Sequence, residues 1–362
     1  MDTLRLAYHF CLSLLGAIYY RRPSKKIFVV GVTGTKGKTT TIEIINAILE
    51  LAGYRTAISS TLRFKLGGQS EPNRQKMTMP GRIFLQRFLA RAVAAGTDYA
   101  LIEMTSEGAR QHRQRFLELD ALIFTNLAPE HLEAHGSYDQ YREAKLKIAH
   151  QLARSSKPQK TIVVNGDDAA AEHFLAVQGP RQLIFKLADA EPIETTGGGT
   201  TFNLAGERVT TQLPGRFNLY NLLAAITFAQ SQKIKTRLIK QAVEGFAGVR
   251  GRLETIGRQD FEVVVDYAHT PDSLRQVFEI FKQRKKICVL GSAGGGRDRW
   301  KRPVLGTIAA EHCRSIILTN EDPYDENPIE IVKQIAEGVG RQKPCQIIMD
   351  RRLAIRQAFT EA

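Results

Sequence analysis

The apolar run Ile27–Val30 feeds directly into Gly31-Val-Thr-Gly-Thr-Lys-Gly-Lys-Thr-Thr-Thr41, and a helix-forming run, 42–51, follows. A buried strand, a glycine-rich turn and a helix start together make a cradle for phosphate. Glycines let backbone N–H groups converge on phosphate oxygens, and the helix start adds its positive dipole end. Lys38 is then expected to reach the terminal phosphates and the Thr39 hydroxyl to ligate Mg²⁺, with Gly34, Thr35, Lys36, Gly37 and Thr40 completing the loop. The usual spacing has a glycine where this chain has Val32, so the match is to a tighter Gly-x-x-Gly-Lys-Thr form. The plain alternative is a glycine-rich turn that holds no ligand.

A chain of 362 residues, 43% hydrophobic and 24% charged, has room for two or three globular domains. Its net charge of +14 suits the handling of polyanions or work beside an anionic membrane. Nucleic acid is not an expected partner, because no basic stretch interleaved with aromatics appears. Cys11, Cys288, Cys313 and Cys345 show no Cys-x-x-Cys spacing and read as thiols in a reducing compartment. The segment from Leu4 to Tyr20 is apolar but broken by Arg5, His9 and Ser13, and Arg21-Arg22 follows. It is short for a span and lacks a secretory cleavage site. It reads as a helix packed on the protein body or, alternatively, as a peripheral helix on a membrane surface.

From Ile27 onward, apolar runs alternate with helical stretches, the pattern of an α/β protein with a mostly parallel sheet. Tyr99–Glu103, Ala121–Thr125 and Thr161–Asn165 are expected core strands, each ending in a polar residue where open α/β sheets bind ligands. The stretch from Thr195 to Leu213 reads as edge strands and turns, and Asn218–Gln230 as a helix. A second α/β series follows a linker at Gly245–Gly251, with strands expected at Phe261–Asp266, Lys286–Gly291, Ser315–Thr319 and Gln346–Asp350.

Glu103, closing its strand, could hold Mg²⁺ beside Thr39. His131 and His135 follow the strand that ends at Thr125 and read as either metal or phosphate ligands, or as ordinary loop hydrogen-bonding residues.

The ordered motifs resemble those of the Mur ligases, the ATP-dependent amide-forming enzymes of peptidoglycan synthesis, and within them the branch that adds the third residue of the stem peptide. They are Gly-Thr-Lys-Gly-Lys-Thr-Thr-Thr (34–41), Thr-Met-Pro (78–80), Glu-Met-Thr-Ser-Glu-Gly (103–108), Gln-His-Arg (111–113), Phe-Thr-Asn-Leu-Ala-Pro-Glu-His-Leu (124–132) and Tyr-Arg-Glu-Ala-Lys (141–145). Gly-Arg-Phe-Asn-Leu-Tyr-Asn (215–221), Gly-Arg-Leu-Glu (251–254), Asp-Tyr-Ala-His-Thr-Pro-Asp (266–272) and Arg-Asp-Arg-Trp-Lys-Arg-Pro (297–303) complete the series.

The resemblance implies an N-terminal helix (1–25), a P-loop-type, mostly parallel-sheet ATPase domain (26–249) and a smaller, shortened Rossmann-like domain (250–362). It implies a cytoplasmic enzyme that uses ATP and Mg²⁺ to join an amino acid to a nucleotide-sugar peptide, a UDP-MurNAc-dipeptide-like acceptor, through an acyl phosphate. Lys38 and Thr39 would hold ATP phosphates and a first metal with Glu103. His131 matches a ligand of a second metal, and Lys145 falls where these ligases carry a carbamylated lysine. Read without the family, Lys145 is one more charge on a solvated helix face. Thr78, Ser106, Gln111 and Arg113 match acceptor contacts; Asn218, Arg252, Asp266 and His269 match nucleotide-facing positions. The run from Arg297 to Arg302 reads by itself as a solvated basic loop, and the family places it near the cleft.

Three departures from the family pattern stand out. Little sequence precedes the ATPase strand, where the family has a UDP-binding domain. The amino-acid-selecting segment, with Asp322, Tyr324 and Glu326, has Tyr324 where diaminopimelate-adding enzymes carry an arginine. An acidic segment without that arginine favours a distal amine, as in lysine. The glycine-rich segment that completes the amino-acid pocket is also not seen. The alternatives are another Mur-related ligase, of amidotransferase-partner or poly-amino-acid type, or an ATP-binding protein without catalysis.

Overall fold

Strand β1 (Phe28–Thr33) is buried along almost its whole length, with Val29, Val30 and Val32 fully enclosed. Continuous burial of this kind belongs to a parallel strand covered by helices on both faces. In the computed structural model, residues 3–75, 77–130, 135–196, 198–257, 260–296, 298–341 and 343–362 are described. The chain divides into two compact units, one of Met1–Ala128 with Asp139–Ala247, the other of Pro129–Tyr138 with Gly248–Ala362.

The main sheet of the first unit adds β2 (Thr56–Ser59), β3 (Arg63–Leu66), β4 (Gln69–Pro72), β5 (Tyr99–Glu103), β6 (Ala121–Phe124), β7 (Thr161–Asn165) and β8 (Arg181–Phe185). Their order is β4-β3-β2-β5-β1-β6-β7-β8, parallel except for β3 and β4 at one edge. Val32 pairs with Glu103 of β5 and Thr33 with Phe124 of β6, so three strand ends finish level. That is where an open α/β sheet offers a crevice.

The helices of this unit are α1 (Thr3–Tyr19), α2 (Lys38–Leu51), α3 (Arg82–Ala94), α4 (Ser106–Arg110), α5 (Tyr138–Ala153, starting at the unit boundary), α6 (Ala171–Leu175), α7 (Arg216–Ser231) and α8 (Thr236–Glu244). Ile44, Ile45 and Ile48 of α2 pack with Leu222, Leu223 and Ile226 of α7 over Val30, Val32 and Leu101 of the sheet. The expected edge strands instead form a separate antiparallel sheet, β9 (Glu194–Thr196), β10 (Gly199–Leu204) and β11 (Glu207–Thr211). Phe202, Leu204 and Val209 turn into the same core, so this sheet covers the core instead of widening the main one.

In the second unit β12 (Glu254–Gly257) and β13 (Glu262–Val265) form an antiparallel ribbon. The parallel sheet is β14 (Ile287–Leu290), β15 (Ser315–Leu318) and β16 (Cys345–Ile347). Around it lie α9 (Pro271–Ile280), α10 (Lys301–His312), α11 (Pro328–Val339) and α12 (Arg351–Glu361). Leu305, Ile308, Val332 and Ile335 pack with Ile316 and Leu318, while Ala354 and Ala358 meet Ile317. The strand expected at Phe261–Asp266 in the second α/β series is β13, yet Val265 is exposed and, among the described residues, the strand pairs with β12 alone. A short apolar run does not reveal which sheet it joins.

Candidate active site

The phosphate loop is shaped by two close approaches. A Cβ on Gly34 (φ +148°) would stand 2.0 Å from Thr125 Oγ1, and one on Gly37 (φ +82°) 2.0 Å from Asn221 Oδ1. Only glycine fits either place. Asn126 braces the turn: its Oδ1 accepts from the Lys36 N–H at 2.9 Å and its carbonyl from the Thr35 N–H at 2.8 Å. Thr125 Oγ1 donates to the Lys36 carbonyl at 2.7 Å. Lys38 opens α2 and curls over the loop, Nζ donating to the Gly34 and Thr35 carbonyls at 2.9 Å each. The α2 start carries no side-chain cap, and the N-terminal end of a helix suits an anion. Thr40 is buried within that first turn. Asn218 reaches the loop indirectly, accepting from Asn221 Nδ2 at 3.3 Å.

Beside the loop, Thr39 Oγ1 donates to Glu103 Oε2 at 3.0 Å, both residues being buried. Two hard oxygen donors at a phosphate loop suit Mg²⁺. The same Glu103 oxygen accepts the Thr61 N–H at 2.9 Å, and Thr61 Oγ1 lies 2.9 Å from Thr78 Oγ1. Buried Arg113 donates to the Met79 carbonyl, to Met77 Sδ at 3.0 Å and to Gln111 Oε1 at 2.6 Å. Ser106 is buried at the start of α4, whose N-cap Thr105 accepts the Gly108 N–H at 3.1 Å. Gly108 packs against Met79, so a Cβ there would meet Met79 Sδ at 2.4 Å. Thr78, Ser106, Gln111 and Arg113 therefore gather around one segment, linked through Thr61 to Glu103. The sequence does not single out Thr61, Asn126 or Asn221 as site residues, although Asn126 and Asn221 lie inside family motifs.

Lys145 is not on a solvated face. It is buried, its Nζ donating to the Gly34 carbonyl at 2.8 Å and standing 4.8 Å from the centre of the Tyr141 ring. Tyr141 in turn brings its hydroxyl to 3.0 Å from Thr35 Oγ1. The expected metal ligand His131 lies outside the described residues. Among the described residues no group of three or more His, Cys, Asp or Glu side chains could hold a metal.

In the second unit, Asp266 accepts the Leu253 and Ala268 N–H groups at 2.8 and 2.7 Å, while burial pushes its carboxyl above the usual range. Arg252 stacks 4.3 Å from the Tyr267 ring centre. His269 Nδ1 lies 2.7 Å from the Tyr267 carbonyl and Nε2 3.0 Å from Glu130 Oε1.

Arg297 lies outside the described residues, and Arg302, at the other end of the run that reads by itself as a solvated loop, is fully buried. It grips Glu326 through both guanidinium nitrogens at 3.0 Å, and Glu326 also accepts the Gly296 N–H at 2.9 Å. Arg302, with Gly296 and Arg299, holds the Glu326 carboxyl down to about 2. Its charge is thus already matched and cannot act as the free acidic wall expected of it. Tyr324, with φ 52°, is exposed beside Gly295, and the Asp322 carbonyl accepts the Gly294 N–H at 2.8 Å.

The Mur ligase middle domain matches residues 32–229, and the Mur ligase glutamate ligase domain matches residues 251–362. The chain belongs to the Mur ligase family. Similar relatives include a UDP-N-acetylmuramoyl-L-alanyl-D-glutamate–2,6-diaminopimelate ligase of Syntrophomonas wolfei, 39% identical over 96% of this chain and 73% of that protein. A UDP-N-acetylmuramyl-tripeptide synthetase of Roseiflexus is 38% identical over 97% of this chain and 74% of its own length. A solved diaminopimelate-adding ligase superposes with a TM-score of 0.67 at 28% identity, covering 97% of this chain and 75% of that one. A folylpolyglutamate synthase of Mycobacterium tuberculosis shares the fold, with a TM-score of 0.79 at 15% identity over 97% of this chain and 88% of its own. As a Mur ligase the chain is an ATP-dependent carboxylate–amine ligase that uses Mg²⁺. The open α2 start with Lys38 fits ATP phosphates, and the Thr39–Glu103 pair fits the metal.

Proposed function

We propose that this Mur ligase adds the third residue to a UDP-N-acetylmuramoyl dipeptide, as the names of its relatives describe for them. The observation that carries this reading is the unbroken path Thr39–Glu103–Thr61–Thr78, which joins the phosphate loop to the cluster of Ser106, Gln111 and Arg113. ATP supplies the phosphoryl group that activates the acceptor carboxylate as an acyl phosphate, and a bound Mg²⁺ would supply positive charge against the phosphate oxygens. Lys38 neutralises phosphoryl oxygens, while Thr39 and Glu103 hold the metal. Thr78, Ser106, Gln111 and Arg113 orient the acceptor, and Asn218, Arg252, Asp266 and His269 serve the nucleotide.

Lys145 acts as a carbamate and, with His131, supports a second metal. Lys38 and Lys145 both donate to the Gly34 carbonyl, which holds two ammonium groups within about 6 Å of each other. A carbamate at Lys145 replaces that repulsion with attraction.

The amino acid is 2,6-diaminopimelate. The expectation of lysine rested on an acidic segment without the arginine, and Glu326 of that segment is engaged with Arg302. Two exposed arginines border the segment instead: Arg299, 3.2 Å from Glu326, and Arg351, donating to the Asn320 carbonyl at 2.6 Å. The N-terminal helix is read as a peripheral membrane contact.

Kinetics of Gln111→Ala and Arg113→Lys test the acceptor assignment. A KM for the muramoyl dipeptide raised about tenfold, with the KM for ATP unchanged, is expected from loss of one charge-assisted contact. Equal changes in both constants would remove the acceptor role.

A further inference from the structure

Among the described residues, helix α1 buries one face against the rest of the first unit. His9, Ser13, Gly16 and Ala17 are buried, and Ser13 Oγ donates to the His112 carbonyl at 3.0 Å. The Phe10 ring meets His112 and Phe116 edge-on at 5.9 and 5.3 Å, with Arg115 5.9 Å from its centre. Gly16 lies close to α3, where an added Cβ would touch the Ile83 backbone at 3.4 Å. These contacts fix which face of α1 looks outward.

That face is apolar. Leu4, Tyr8, Cys11, Leu15 and Ile18 recur at alternating intervals of four and three and so form one stripe along the helix. Leu4, Tyr8, Leu15 and Ile18 are between 57% and 85% exposed, and Tyr19 at the end is 79% exposed. Among the described residues no helix is long and apolar enough to cross a membrane. Among the described residues from Thr3 to Lys26 the charges have one sign. Residues 3–19 contain no Asp or Glu, Arg5 is exposed within them, and exposed Arg21, Arg22, Lys25 and Lys26 follow.

We propose that α1 docks on an anionic lipid surface, with the stripe from Leu4 to Tyr19 in the acyl boundary and Arg5, Arg21, Arg22, Lys25 and Lys26 against headgroup phosphates. The inference rests on the peripheral-contact reading of this helix and adds the charge of the lipid and the face that meets it. A second copy of the chain is the poorer occupant. Pairing α1 with itself, parallel or antiparallel, brings arginines against arginines without an acidic partner. An anionic surface supplies the missing charge, and the chain's net +14 adds long-range attraction. The helix rests on the turn at 112–116, which directly follows Gln111 and includes Arg113, so docking would present the proposed acceptor segment beside the lipid.

The test is co-sedimentation of the full chain with phosphatidylcholine vesicles and with vesicles of equal parts phosphatidylcholine and phosphatidylglycerol. Binding to the mixed vesicles should be at least about tenfold tighter and should weaken with salt. Leu15→Asp with Ile18→Asp should abolish it, and Arg21→Glu with Arg22→Glu should lower it about tenfold. These side chains are exposed and outside the catalytic machinery, so unchanged melting and ATP turnover confirm an intact fold. Equal binding to both vesicle types overturns the anionic assignment and leaves the peripheral contact standing. Binding to neither overturns both. Self-association that Leu15→Asp with Ile18→Asp removes would assign the stripe to a second copy and overturn the proposal.

Discussion

At the scale of single residues, the loop around Gly34 concentrates the chemistry. Lys38→Ala should abolish ATP turnover while leaving the melting curve in place, because the side chain donates to loop carbonyls at Gly34 and Thr35 yet neutralises charge that develops on the phosphoryl group. Turnover near the wild-type rate would detach ATP from this loop. Lys145→Ala should be inactive and recover part of its activity with added short carboxylates, which can take the place of the carbamate; intact mass of the native chain should show one added CO₂. An unmodified lysine in the active enzyme would remove that role. Amino-acid choice is decided by competition between meso-diaminopimelate and L-lysine at equal concentration. Preference for diaminopimelate is expected, with Arg299→Ala or Arg351→Ala raising its KM about tenfold, since a guanidinium matches a carboxylate in a way Tyr324 cannot. A clear preference for lysine would return the selecting role to Tyr324 and the acidic residues.

At the scale of elements, Arg302 ties the glycine-rich turn after β14 to the segment after β15. Its head also donates to the Ala293 carbonyl at 3.3 Å and to Gln334 Oε1 at 2.8 Å. Glu326→Gln leaves a fully buried guanidinium without its counter-charge, so about 3 kcal/mol of stability should be lost at neutral pH. The carboxyl is held down to about 2, below its ordinary range, so its contribution is present above the unfolded value and fades as pH falls through about 2. Thermal melts of wild type and Glu326→Gln should therefore differ at pH 7 and converge in strong acid. A constant difference would assign the loss to packing alone.

This pair was hidden in the sequence. Arg302 and Glu326 lie on different elements, and a basic run such as Arg297–Arg302 looks solvated until the fold buries part of it. Thr61 was hidden for a related reason: its tie to Glu103 is a backbone N–H, which every residue has. The strand–loop–helix of β1 and α2 was legible because its residues are contiguous and its strand is apolar on both faces. The valines of β13 mislead because apolarity alone does not reveal that the strand pairs with β12 in an antiparallel ribbon.

At the scale of the whole molecule, the two family matches fall on the two compact units, at 32–229 and 251–362. The motifs that carry the resemblance are long, ordered strings, so the family is legible in the sequence itself. The pairing of sites across the first unit was not, since it depends on β5 and β1 ending level at Glu103 and Val32. The central claim is that ATP cleavage here is coupled to amide formation on a muramoyl peptide. Phosphate release with ATP and Mg²⁺, followed alongside product mass, tests it most directly. Release is expected only when UDP-N-acetylmuramoyl-L-alanyl-D-glutamate and diaminopimelate are both present, with one amide product per phosphate. Phosphate release independent of the acceptor, or none with both substrates supplied, would contradict it.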